Sequence, residues 1–193
     1  MSDFPIAQWG ALETNATFTQ PTESTMRLTQ FERKIRRRNI IEYTAGLLVI
    51  AVFGWVAWLS ANAGEYLVTA SWLTLIAGNI VVMVNLRRLA SNLVRSPETD
   101  CHSHLRAQMV HQREALQSVA KWYVGPLVPG LLLAIVAMAI MTAETAGWLA
   151  AMVGLFIPAL FVGAILAGVI WLNRRAARTL SDKIAEMDRL VSA

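Results

Sequence analysis

Residues 148–172 read WLAAMVGLFIPALFVGAILAGVIWL, twenty-five positions without one charged side chain. A helix rises about 1.5 Å per residue, so about 20 apolar residues cross a hydrocarbon layer roughly 30 Å thick. Three further stretches have the same character: 40–59 (IIEYTAGLLVIAVFGWVAWL), 66–86 (YLVTASWLTLIAGNIVVMVNL) and 124–142 (VGPLVPGLLLAIVAMAIMT). A single segment satisfies its own backbone polar groups in lipid only as a helix, and the alternating segments of about ten residues that mark a barrel are missing. The expected fold is therefore all-α and polytopic, with four transmembrane helices and amphipathic helices outside the bilayer. Hydrophobic residues make up 55% of the 193 and charged residues 16%. A soluble domain carries roughly 25% charged residues, and the deficit here is concentrated in the four blocks.

The 17 Lys and Arg residues order these blocks. Six precede the first block, six lie between the second and third, and five follow the fourth. The connections 60–65 and 143–147 carry none, but hold Glu65 and Glu144. The positive-inside rule then puts both termini and the long middle segment in the cytoplasm, with two short loops on the other side of the membrane. Trp55, Trp58 and Trp148 fall at the outer boundary, and Tyr43, Trp122, Tyr123 and Trp171 at the inner one, as interfacial aromatics do. The formal charge of +4 is thus a topology signal, and no nucleic-acid partner is read from it. The first apolar block follows a long polar segment and is too long for a signal peptide.

This divides the chain into a flexible cytoplasmic tail (1–25), a basic amphipathic helix (26–39), a first hairpin (40–86), a cytoplasmic helical segment (87–123), a second hairpin (124–172) and a C-terminal helix (173–193). In the tail, Ile6, Trp9 and Leu12 form an anchor triplet suited to a partner groove or to the chain's own helices. In the basic helix Leu28, Phe31 and Ile35 share one face, while Arg33, Lys34, Arg36, Arg37 and Arg38 crowd the other, where anionic lipid headgroups would be met. Ser96-Pro97-Glu98 reads as a helix start, and Gly125-Pro126 as its stop, because a residue before proline avoids the α region. Between them Leu105, Met109, Leu116, Val119 and Tyr123 make an apolar stripe, in which Leu105, Met109 and Leu116 are a second candidate contact for a cytoplasmic protein. Leu180, Ile184, Met187 and Val191 make another stripe, and the two together suit a small cytoplasmic bundle or, equally, a homo-oligomer interface.

Candidate chemistry is sparse. Cys101, His102, His104 and His111 do not reach a four-ligand metal geometry on one helix, so no metal or other cofactor is expected. Glu42 is the one ionisable side chain placed inside a span, a candidate titrating group close to Arg38. Asn79 and Asn85 read as interhelical hydrogen-bond donors, Pro158 as a kink, and Ala159, Gly163 and Ala167 as a small-residue stripe for close helix packing. No nucleophile–base pair or phosphate loop is present, and the chain does not read as an enzyme.

Three stretches together carry a resemblance: Phe31-x-Arg33-x-Ile35-Arg36-Arg37-Arg38-Asn39-x-x-Glu42-Tyr43-x-Ala45, Gln112-Arg113-x-Ala115-Leu116-x-x-Val119-x-x-Trp122-Tyr123-x-x-Pro126-x-x-Pro129-Gly130, and Trp171-Leu172-Asn173-Arg174-Arg175-Ala176-Ala177. The chain resembles a group of uncharacterised, mostly proteobacterial inner-membrane proteins that are often encoded beside extracytoplasmic-function sigma factors. The resemblance implies a membrane-bound regulator or scaffold with a sigma factor as its partner. Two other functions stay open from the residues: a small oligomeric transporter or channel component, and a structural subunit of a membrane complex.

Overall fold

The computed structural model describes residues 22–94 and 99–192. Ile6, Trp9 and Leu12 lie outside the described residues, as do Ser96 and Pro97. Helix α1 spans Thr22–Asn62, α2 Tyr66–Leu89, α3 Cys101–Gln117, α4 Val128–Ala146 and α5 Trp148–Ser192. A π-helical turn (Ala120–Val124) and a 3-10 turn (Gly125–Leu127) lead from α3 into α4. The protein is all-α, and four of its helical stretches are long and apolar enough to cross a membrane.

Two boundaries expected from the sequence are not there. The basic helix and the first span form one helix of 41 residues, roughly 60 Å long, and the fourth span continues into the C-terminal helix for 45 residues, roughly 68 Å. Neither junction contains Pro or Gly, so nothing in the sequence breaks the hydrogen-bond ladder. The basic segment therefore continues α1 along its own axis. Pro158 also sits inside an uninterrupted helix.

Helix α3 starts at Asp100, four residues after the expected Ser96. The Asp100 carboxylate accepts from the Ser103 backbone N–H at 3.3 Å, and bonding with Ser103 lowers its pKa below the usual aspartate value. Such a cap is worth about 1 kcal/mol. The expected stop is also displaced: α3 ends at Gln117, before Gly125-Pro126, and the chain passes the two prolines through a π turn and a 3-10 turn. Gly125 (φ −50°, ψ −47°) and Val128 (φ −57°, ψ −46°) are both α-helical although a proline follows each. The missing proline N–H is accommodated locally. In an α-helix Pro126 would leave the Trp122 carbonyl without a donor, and here the Asn85 side chain donates to it at 3.0 Å. The Gly125 carbonyl, which residue 129 would otherwise serve, accepts from the Val128 N–H.

Inside the membrane the helices approach at glycines. A Cβ on Gly78 would collide with the Pro126 carbonyl, and one on Gly130 would lie 2.7 Å from Leu75 Cγ, so α2 and α4 cross with their backbones in contact. Asn79 donates to the Gly46 carbonyl of α1 at 2.8 Å, the interhelical role expected of it. The expected small-residue stripe takes no such part. Gly163 and Ala167 are exposed, Ala159 is half-buried, and no atom would approach a Cβ at Gly163 within 4 Å. Close packing in this chain is done by Gly78 and Gly130, which single-residue spacing did not reveal.

Candidate functional site

Where the arginine-rich part of α1, the end of α2 and helix α3 meet, the chain must deal with a loop. Helix α2 ends at Leu89 and residues 90–94 have no regular structure, so their carbonyls and N–H groups need other partners. Side chains from α1 and α3 supply them. The Ala90 carbonyl accepts from Asn39 Nδ2 (3.0 Å), Gln112 Nε2 (3.2 Å) and Arg38 Nη2 (3.4 Å). Gln112 Nε2 also reaches the Ser91 carbonyl at 3.1 Å, and its Oε1 accepts from Arg38 at 3.4 Å. Gln108 Oε1 accepts from the Leu93 N–H at 2.7 Å while its Nε2 donates to Asn92 Oδ1 at 2.9 Å. Asn92 in turn donates to the Glu32 carbonyl at 3.2 Å. The His104 ring lies 3.5 Å from the Glu32 carboxylate. Gln108 and Gln112 are 0% and 2% exposed.

The knot rests on an apolar plug. Leu86, Ala90, Ala115, Val119 and Trp122 form one buried cluster, with Tyr43, Tyr123 and Ile170 packed at its edge. Trp122 fixes its indole by donating to the Ala115 carbonyl at 2.8 Å. The Tyr43 hydroxyl donates to the Met83 carbonyl at 3.3 Å.

Against this plug opens a crevice of about 130 Å³, lined by Arg38 and Glu42 from α1, by Leu116, Val119, Trp122 and Tyr123 from the α3–π segment, and by Val169 and Asn173 from α5. Arg38 Nε stands 3.6 Å from Glu42 Oε1, an ion pair too long for a hydrogen bond, and that nitrogen has no hydrogen-bond partner. Asn173 donates to the Val169 carbonyl of its own helix at 2.8 Å.

The expected site residues separate into groups. Arg33, Lys34, Arg36 and Arg37 are exposed, but Arg38 turns inward to the knot and the crevice and is half-buried. Leu105 is buried at 5% exposure and Met109 and Leu116 are half-buried, because α3 packs along the lower half of α5. A bidentate pair joins the two, Arg106 Nε to Asp188 Oδ1 at 2.6 Å and Nη2 to Oδ2 at 2.9 Å. The stripe read as a partner face is thus partly used within the chain. Glu42 sits at the crevice and pairs with Arg38. Among the described residues no three His, Cys, Asp or Glu side chains gather as a metal site.

Sequence reasoning missed Gln108, Gln112, Asn92 and His104 as buried partners. The readable signal was the spacing of His104, Gln108 and Gln112 at successive turns of one helix, opposite a short loop with no structure of its own.

No protein-family model, no curated protein and no solved structure matches this chain.

Proposed function

We propose that the chain is a non-enzymatic regulator or scaffold of a bacterial inner membrane, multi-pass with both termini cytoplasmic, that holds a cytoplasmic protein beside the bilayer. The partner suggested by the family resemblance is a sigma factor. One observation carries this reading: α1 and α5 pass out of their apolar spans unbroken, and α3 is tied between them by the polar knot and the Arg106–Asp188 pair. A shift between spans therefore displaces the surface of the bundle below without a hinge to absorb it. The exposed Arg33, Lys34, Arg36 and Arg37 supply an anionic-lipid contact on the same side, each worth about 1 kcal/mol near a charged leaflet. Photo-crosslinking in living cells from Trp9 and from Met109 tests the reading. A discrete adduct with one cytoplasmic protein is expected; adducts only with lipid or with the chain itself would sink it.

A second reading, a structural subunit of a larger complex or a homo-oligomer, is favoured by the exposed Gly163 and Ala167 of the small-residue stripe, on a span with no buried residue in its apolar window. A stable monomer on gentle extraction counts against it. The transporter or channel reading rests on Glu42 alone, and liposome flux unchanged by Glu42→Gln would remove it.

A further inference from the structure

The crevice at the basic boundary has the chemistry of a zwitterion site. Its charged side chains belong to one helix, four residues apart: the Arg38 guanidinium and the Glu42 carboxylate. They remain 34% and 30% exposed, and their charges meet only at 3.6 Å. The guanidinium is held by weak contacts of 3.2–3.4 Å from Nη2, and its Nε makes none. A part-exposed pair with so little mutual compensation keeps capacity for both an anion and a cation. Asn173, which lines the same crevice as Glu42, donates through its amide nitrogen to Val169, and no hydrogen bond to its side-chain oxygen occupies that acceptor among the described residues. The remaining walls, Leu116, Val119, Val169 and the Trp122 and Tyr123 rings, are apolar or amphipathic. The depth also fits, since Arg38 lies just before the apolar run of α1 and Asn173 just after that of α5, where headgroups meet hydrocarbon. The volume is roughly ten times what a single water requires.

We propose that this crevice binds a phosphate ester bearing a primary ammonium, the headgroup of a phosphatidylethanolamine-type lipid, with the phosphate on Arg38 and the ammonium on Glu42 and Asn173. The exposed arginines below bind anionic lipid without discrimination, and the crevice selects the zwitterion. The proposal does not depend on any protein partner.

The full-length protein is reconstituted in nanodiscs holding equal phosphatidylethanolamine and phosphatidylglycerol, and the lipid that stays bound on gentle release is counted by native mass spectrometry. One phosphatidylethanolamine is expected to be retained with about tenfold preference, the scale of one charge-assisted contact. Glu42→Gln keeps the shape of the site and should abolish the preference. Leu116→Trp fills the crevice and should abolish the retained lipid altogether; Glu42→Gln decides the matter if that variant does not fold. Water-soluble glycerophosphoethanolamine added in excess separates the two sources, because it displaces the lipid only if the zwitterion alone is recognised. The count is made with Arg33, Lys34, Arg36 and Arg37 all changed to Gln, which removes the unselective anionic contacts; equal or preferential retention of phosphatidylglycerol by that protein, or an unchanged preference when Glu42→Gln is added, overturns the proposal.

Discussion

Replacing Gln108 by Leu gives the sharpest test of the polar knot. The two side chains have similar volume, so no large cavity forms. What is lost is specific. Leu93 N–H loses its 2.7 Å acceptor and Asn92 Oδ1 loses a 2.9 Å donor, at a glutamine with no exposed surface. An orphaned buried donor costs about 1–3 kcal/mol and a lost neutral hydrogen bond about 0.5–1.5. Leu93 is only half-buried, which lets water recover part of this. The net cost of closing the loop onto α3 should then be about 2–3 kcal/mol, and each 1.4 kcal/mol is a factor of ten in the opening equilibrium. Hydrogen exchange at the Leu93 amide should accelerate by about thirty- to a hundredfold, while amides in the middle of α2 stay protected. Gln117→Leu, an exposed position on the same helix, is the control and should leave Leu93 unchanged. If Leu93 in Gln108→Leu exchanges within about threefold of the unmodified protein, the buried glutamines are not what holds the loop.

Gly78→Ala should lower the melting temperature in detergent, because its methyl group meets the Pro126 backbone and overpacking costs about 1–3 kcal/mol, whereas Gly163→Ala should leave melting unchanged. Hydrogen bonding by Arg106 holds the Asp188 carboxyl below its ordinary value of 3.8, with His102 adding to the effect. A lowered native pKa stabilises docking of α3 on α5 fully above pH 3.8 and loses that contribution as pH falls through the native value; Asp188→Asn should remove it at neutral pH, read as faster alkylation of Cys101. In intact cells a membrane-impermeant thiol reagent should label Ala63→Cys and spare Cys101; the opposite pattern would invert the assigned topology.

The spans were legible because a run of apolar residues is a one-dimensional signal: lipid excludes charge from every side of a helix at once. Asn79 was legible for the same reason, as an isolated amide in such a run has few partners besides another helix. The knot was not legible that way. Glutamine on a water-facing helix is ordinarily solvated, so an amphipathic reading of α3 centred on Leu105, Met109 and Leu116. Leu105 is buried as that reading implies, but the buried surface also takes in His104, Gln108, Gln112 and Ala115, because one neighbour is a stretch of bare backbone that needs donors and acceptors. The Gly78 and Gly130 contacts escaped for a different reason. Each notch is matched to a partner on another helix, Pro126 and Leu75, and only the three-dimensional crossing pairs them.

The passage of the chain through Gly125-Pro126 bears on how the halves communicate. An extended segment at this point would separate the polar knot from the third span by a flexible joint. Instead the π turn and the 3-10 turn carry the chain through two prolines with helical dihedrals, and the carbonyl freed at Trp122 is returned to α2 through Asn85. Gly125 tolerates the pre-proline position because it has no Cβ to meet the proline ring. The route from α3 into α4 thus changes helix type twice but contains no extended segment, and one residue at its centre, Trp122, belongs to the plug, lines the crevice and accepts from the Asn85 amide of α2. A ligand that preferred one setting of Trp122 would bias the packing of α3 only by its differential affinity for the two settings.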